Sequence, residues 1–232
     1  MKYLYKYISE SILDPTNKSK VGRDIDGKIR DGVLEFIGQN YHGSGMKDVV
    51  VPDKPNEKGL YEVTAVGYCG FISFNGKGES LTNGHFVWKE VDSFNCAESN
   101  ITSLEGSPEK VRYGFECQFC DKLKSLKGGP KEVGDFYCDG CLGLTDLVGA
   151  PRKANHFQCR LCEYITSLKG CPKTLKSFDC DKCLDLKSLE HGPKNVKDWY
   201  MCYECGGNFT SADVTKYCKV GGEIITIDPD AE

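Results

Sequence analysis

The chain has 232 residues, with 30 basic and 34 acidic side chains and a formal charge of −4. That length permits one elongated domain or two small ones with a real core, and the near-balance of charge argues against bulk binding of nucleic acid or anionic lipid. No stretch approaches the ~20 apolar residues that cross a bilayer; the longest aliphatic run is Val49-Val50-Val51.

Met1, Leu4, Tyr5, Ile8 and Ile12 share one face of a predicted helix over residues 1–14, which Asp14-Pro15 stops. Ser9, Glu10 and Ser11 interrupt any apolar segment of a secretion signal. The cytoplasm is therefore the expected compartment, and a reducing compartment keeps the fourteen cysteines as thiols or metal thiolates. The helix is expected to pack as a cap, or else to act as a detachable docking peptide. Residues 15–30 are polar and Gly-containing and read as a linker.

Residues 31–92 contain Asp48-Val49-Val50-Val51-Pro52 and then Tyr61-Glu62-Val63-Thr64-Ala65-Val66-Gly67-Tyr68-Cys69-Gly70-Phe71. This pairing resembles the first turn of the surface-antigen class of bacterial leucine-rich repeats, with Val51 in place of the usual Ile. The resemblance implies that residues 31–92 cap the N-terminal end of a solenoid. Pro55, Asn56, Lys58 and Gly59 are expected in an exposed loop.

From residue 93 to 209 a period of 21 organises the chain: Phe94, Phe115, Phe136, Phe157 and Phe178 lie one period apart, and Trp199 extends the column. Cys117, Cys138, Cys159 and Cys180 keep the same step, as do Cys120, Cys141, Cys162 and Cys183. Leu123, Leu144, Ile165 and Leu186, then Leu126, Leu147, Leu168 and Leu189, then Pro130, Pro151, Pro172 and Pro193 complete the unit. Alternating Phe and Cys suit a strand with one buried face. So short a unit cannot bury its own apolar face, so units must stack. Six stacked turns at ~4.8 Å give a rod of roughly 30 Å.

The C-x-x-C-x-x-L phrase from Cys117 to Leu123 resembles the cysteine variant of the leucine-rich-repeat signature, over about Phe94 to Cys205. Phrases such as Ser125-Leu126-Lys127-Gly128-Gly129-Pro130-Lys131-Glu132-Val133 are similar to short repeats common in phages and gut bacteria. The resemblance implies an α/β or mostly β fold, a leucine-rich-repeat solenoid with parallel strands, capped at both ends. It also implies that the second thiol of each pair satisfies backbone amides in the following loop. If the chain is phage-encoded, its compartment is the host cytoplasm. Two units depart from the pattern: Cys96 to Ile101 is one residue short, and one extra residue precedes Cys202. Residues 210–232 are expected to cap the far end, with a short helix from Thr210 to Lys219 and a last strand from Glu223 to Ile227.

Five CxxC pairs (Cys117/Cys120, Cys138/Cys141, Cys159/Cys162, Cys180/Cys183 and Cys202/Cys205) give adjacent C-x2-C-x17-C-x2-C spacings, a good zinc signature in isolation. The repeat offers a competing role, because both thiols fall in interior columns where cysteine acts as a small hydrophobe. Five pairs also divide badly into two-pair sites. The core role is preferred, with no metal ligand and no cofactor assigned; a zinc-stabilised module stays as an alternative. One CxxC per repeat does not build a single redox site, and Cys69, Cys171 and Cys218 stand alone.

Strand residues between the buried columns are expected to face a partner: Glu116, Gln118, Phe119, Tyr137, Asp139, Gln158, Arg160, Leu161, Asp179, Asp181, Lys182, Met201, Tyr203 and Glu204. Aromatics mixed with polar groups suit protein recognition. Lys131, Arg152, Lys173 and Lys194 each follow the repeat proline, with Lys110 near register, and form a second, basic ridge for a nucleic acid or other polyanion. That ridge also reads as a solvated edge, diluted by Glu132, Glu190 and Asp198. No catalytic residues are assigned: His42, His85, His156 and His191 sit in no metal or nucleophile motif, and Gly43-Ser44-Gly45 and Gly76-Lys77-Gly78 lack a phosphate-loop context. The expected function is a non-catalytic protein-binding solenoid that engages a host defence or regulatory factor. Neither a membrane nor a particular oligomeric state is implied.

Overall fold

The computed structural model describes residues 30, 33, 36, 37, 49–65, 71–73, 81, 82 and 84–226. The expected helix over residues 1–14, nearly all of the linker, and Ile227 lie outside them. The fold is mostly β. Its strands are β1 (Val49–Val50), β2 (Tyr61–Ala65), β3 (Phe71–Ser73), β4 (Phe86–Val91), β5 (Ser93–Asn95), β6 (Lys110–Glu116), β7 (Glu132–Tyr137), β8 (His156–Gln158), β9 (Thr174–Asp179), β10 (Asn195–Met201), β11 (Lys219–Val220) and β12 (Glu223–Ile225). Helix α1 (Ser211–Tyr217) lies between β10 and β11.

All twelve strands join one sheet, which runs β1-β2-β4-β6-β7-β8-β9-β10-β11 with β3, β5 and β12 alongside. Only β1 is antiparallel, pairing with β2; every later pair is parallel. The chain is thus a parallel β-solenoid of about seven turns. Each turn meets the sheet in two short segments, which appear as separate strands in β2/β3, β4/β5 and β11/β12 and as one kinked strand in β6 and β10.

The core is a set of ladders. Phe94, Phe115, Phe136, Phe157 and Phe178 are at most 1% exposed and stack ring on ring, with centroids 5.4, 5.4, 5.2 and 6.1 Å apart. Offset aromatic stacks add about 1 kcal/mol per contact beyond burial. Below Phe94 the column turns edge-to-face through Trp88, Phe86 and Phe36. Leu123, Leu126, Leu144, Leu147, Ile165, Leu168 and Leu186 are fully buried on the return side of each turn.

The register differs from the expected one at both irregular units. Tyr200, not Trp199, pairs with Phe178 and continues the aromatic column. The extra residue before Cys202 is taken up as a bulge between Val196 and Trp199, which pushes the indole out of register. In the first unit, the residue missing after Ser99 returns as a bulge between Val111 and Gly114 in β6, leaving Tyr113 58% exposed. A one-residue bulge restores a register that would otherwise turn the buried face outward.

Between the two cysteines of each pair the chain turns a corner through a left-handed residue. Glu98, Phe119, Leu161, Lys182 and Glu204 have φ between 53° and 58°, and Gly140 has φ 63°. At Gly140 the choice has a second cause: the Phe119 ring lies across it, with Cε1 only 2.6 Å from where a Cβ would sit. Gly128, at φ 83°, meets the previous turn so closely that a Cβ would stand 2.6 Å from the Glu105 nitrogen.

At the end of the chain α1 is shorter than expected. Thr210 caps it, with a reciprocal capping box to Asp213, and Val214 is its buried contact. Chain reversal through non-Gly corners costs about 1 kcal/mol each. Lys182→Gly is therefore expected to raise stability by roughly 0.5 kcal/mol, net of the added freedom of the unfolded chain. Urea unfolding of the two proteins side by side checks this.

Candidate functional site: a thiol ladder and the open face it holds

Thirteen cysteines are described, all buried and all free thiols. The second thiol of each pair has one repeated job. Cys120 Sγ donates to the Cys96 carbonyl at 3.1 Å, Cys141 to Cys117 at 3.0 Å, Cys162 to Cys138 at 3.1 Å, Cys183 to Cys159 at 3.2 Å and Cys205 to Cys180 at 3.0 Å. Each bond joins one turn to the turn before it. The bonds these thiols make are thus to carbonyls of the preceding turn, where the resemblance implied amides of the following loop. At the head of the ladder Ser99 stands in the thiol position and bonds the Cys96 carbonyl of its own turn at 2.6 Å.

Burial pushes the Cys117, Cys138 and Cys180 thiols well above their usual range, and diagonal contacts with Cys141, Cys162 and Cys205 add to the rise. A thiol held neutral by burial, as at these three positions, is a poor nucleophile and a poor metal ligand, since the thiolate is the reactive species. Among the described residues no three His, Cys, Asp or Glu side chains group as a metal site.

On the outer side, the fourteen expected contact residues occupy three columns. The strand column holds Glu116, Tyr137, Gln158, Asp179 and Met201; the next holds Gln118, Asp139, Arg160, Asp181 and Tyr203; the left-handed corner holds Phe119, Leu161, Lys182 and Glu204. Phe119, Leu161, Lys182, Tyr203 and Glu204 are exposed, whereas Glu116, Gln118, Tyr137, Gln158, Arg160 and Met201 are partly covered. Asp139, Asp179 and Asp181 are buried.

These three aspartates serve the backbone. Asp139 Oδ1 accepts from the Arg160 N–H at 2.8 Å, Asp181 Oδ1 from the Tyr203 N–H at 2.8 Å and Asp179 Oδ1 from the Asp181 N–H at 3.0 Å. Asn95, in the Asp179 column, does the same for the Ala97 N–H at 2.8 Å. Arg160 is the cation among them, with Nε 3.7 Å from Asp179 Oδ2, and Nε is buried without a hydrogen bond. Burial raises the Asp139 and Asp181 carboxyls and lifts Asp179 to about 7. His156 sits at the edge of this face, close to the Ser177 hydroxyl and 4.0 Å from Asp135.

The expected contact set missed part of the exposed apolar surface. Leu142, Tyr164 and Leu184 are 38, 53 and 49% exposed, beside Phe119, Leu161 and Tyr203 at 47, 37 and 42%. All six lie at the CxxC corner or just beyond it. Leu142 and Leu184 occupy the column in which other turns carry Asp121 and Glu163, so an apolar residue in a polar column was the available signal.

On the opposite edge, the basic ridge is partly engaged with the protein itself. Lys131 pairs with Glu109 at 2.5 Å. Lys173 Nζ bonds the His191 carbonyl at 2.9 Å, and Lys194 Nζ bonds the Glu190 carbonyl at 3.1 Å. No described helix is long and apolar enough to cross a membrane.

Two measurements check this account. Cys162→Ala removes the sulfur and strands the buried Cys138 carbonyl, so it should cost about 2 kcal/mol in urea unfolding, while Cys162→Ser should lose about half as much. Asp179 has its folded pKa raised from 3.8 to about 7. Its contribution is therefore present below pH 4 and lost as pH rises through 7. Asp179→Asn keeps the acceptor that Asn95 uses and should be the more stable protein at pH 8, by on the order of 2 kcal/mol, with the gap closing toward pH 4. Thermal melts across that range decide it.

Compared with known protein families, curated proteins and solved structures, the chain matches none.

Proposed function

We propose that this chain is a non-catalytic protein-binding solenoid of the leucine-rich-repeat type, with residues 31–92 and α1 with its following strands acting as end caps. The partner is read by the CxxC corner together with the adjoining strand columns. The observation that carries this reading is the row of Phe119, Leu142, Leu161, Tyr164, Leu184 and Tyr203, each more than a third exposed. Contiguous apolar and aromatic groups rimmed by charge are a common feature of protein contact sites.

The mechanism is preorganisation. Each corner residue is held by the ladder: the Phe119 N–H bonds the Asp139 carbonyl at 2.7 Å, the Leu161 N–H the Asp181 carbonyl at 2.9 Å and the Lys182 N–H the Tyr203 carbonyl at 2.9 Å. Side chains mounted on such a scaffold lose little freedom on binding. Lys182 and Glu204, 3.5 Å apart, supply a polar rim. The similarity to short phage repeats makes a host defence or regulatory factor the first partner class to test, in a cytoplasm that keeps the thiols reduced.

The test is affinity capture followed by mass spectrometry, comparing the native chain with Leu161→Ser/Tyr203→Ser. A partner retained by the native chain should be lost by at least tenfold from the double variant, given hot-spot truncations of 1–2 kcal/mol or more. Equal recovery by a variant that melts normally removes the corner from the interface.

A further inference from the structure

Between the turns that follow Glu109, the turn-to-turn ladder is broken on the proline edge at Lys173. Elsewhere on that edge, the Lys131 N–H bonds the Glu109 carbonyl at 2.8 Å, the Arg152 N–H the Lys131 carbonyl at 2.9 Å and the Lys194 N–H the Lys173 carbonyl at 2.9 Å. The equivalent bond from the Lys173 N–H to the Arg152 carbonyl is missing. Strand pairing shows the same gap: Val111 pairs with Val133 and Leu175 with Val196, but nothing joins Lys153-Ala154 to Thr174-Leu175, and β8 begins only at His156.

The sequence explains the gap. The interior column here reads Val111, Val133, Ala154, Leu175, Val196, and alanine is two carbons smaller than Val133 and three smaller than Leu175 on either side. The two turns part and leave a cleft of about 570 Å³, within the size range of small-ligand sites.

The lining of the cleft is chemically one-sided. Arg152, Lys153 and Lys173 contribute three cations and no carboxylate lines it, on a chain whose net charge is −4. Among the described residues the Arg152 guanidinium makes no ion pair or hydrogen bond. Lys173 Nζ spends two of its three protons on the carbonyls of His191 and Gly192 and keeps one. Lys153 is held by Glu132 in an exposed pair, which is weak and exchangeable. Among the described residues the Lys173 N–H has no hydrogen-bond partner, and Lys173 and Thr174 both line the gap.

We propose that this cleft is an anion site for the phosphoryl group of a small phosphate-bearing molecule, gripped by Arg152, Lys173 and the free Lys173 N–H. An arginine fork, an ammonium and a backbone N–H lining one cleft suit tetrahedral oxyanions. The site lies on the proline edge, away from the corner assigned to protein binding, so either assignment can fail without the other.

The test is titration of the full chain with inorganic phosphate and, separately, adenosine monophosphate, following backbone amide resonances. Saturable shifts confined to residues 150–154 and 170–174 are expected. Arg152→Gln and Lys173→Gln should each weaken binding about tenfold. Ala154→Val restores the column residue and should abolish binding while leaving the melting temperature unchanged or higher. Tighter binding of the nucleotide identifies a phosphoester as ligand, and equal binding identifies free phosphate; both keep the site. Absence of saturable shifts, unchanged affinity in all three variants, or binding only to a single-stranded RNA oligomer insensitive to those variants would overturn it.

Discussion

The hydrogen-bond register between residues one repeat apart is the constraint on which the rest of this molecule depends. A parallel ladder holds strands at one fixed separation, so whatever occupies a column must tolerate its own copy directly above and below. Phenyl rings satisfy this by stacking, with interplanar angles of 2 to 15° through the middle turns. Backbone at the corners satisfies it by turning left-handed in every unit, whether or not glycine is present. The carbonyl of each first cysteine then faces the interior and needs a donor, and the thiol one turn onward supplies it. Sulfur is well suited to that place, being apolar enough to be buried and still able to donate weakly.

Rigidity of this kind separates structural from available groups on the outer face. Carboxylates that look like a binding surface in one dimension are taken by backbone N–H groups where the corner interrupts the ladder, as at Asp139 and Asp181. Apolar side chains at the corner have no such duty. They project from a stiff backbone at intervals set by the stacking, which is the property a repeat protein offers a partner. The same logic locates the cleft: where one interior side chain is too small, the ladder cannot close, and polar backbone becomes available to a ligand.

Much of this was legible in the residues themselves. A repeat of 21 with Phe, Cys, Leu and Pro each in register admits few arrangements other than stacked turns, because no single unit can bury its own apolar side. The interior columns followed for the same reason, while the exposed loop around Lys58 followed from its turn residues and the short C-terminal helix from the cap residues at its start. Which outer residues are exposed was not legible. Asp179 and Glu204 both read as acidic surface residues in a sequence; in the fold Asp179 is buried on the Asp181 N–H, whereas Glu204, at the left-handed corner, faces outward and pairs with the exposed Lys182.

What the sequence by itself determined was the period, the identity of the inward columns and hence a parallel stack, since these depend only on hydrophobic spacing and unit length. Tertiary structure alone decided how the two irregular units were absorbed. The missing residue after Ser99 reappears as a bulge in β6, and the extra residue of β10 sends Trp199 outward and Tyr200 inward. It also decided that Ala154 opens a gap on the proline edge. These outcomes depend on pairing between neighbouring turns, and a bulge or a void costs least wherever the adjacent strand can give way, which the order of residues along one turn does not encode.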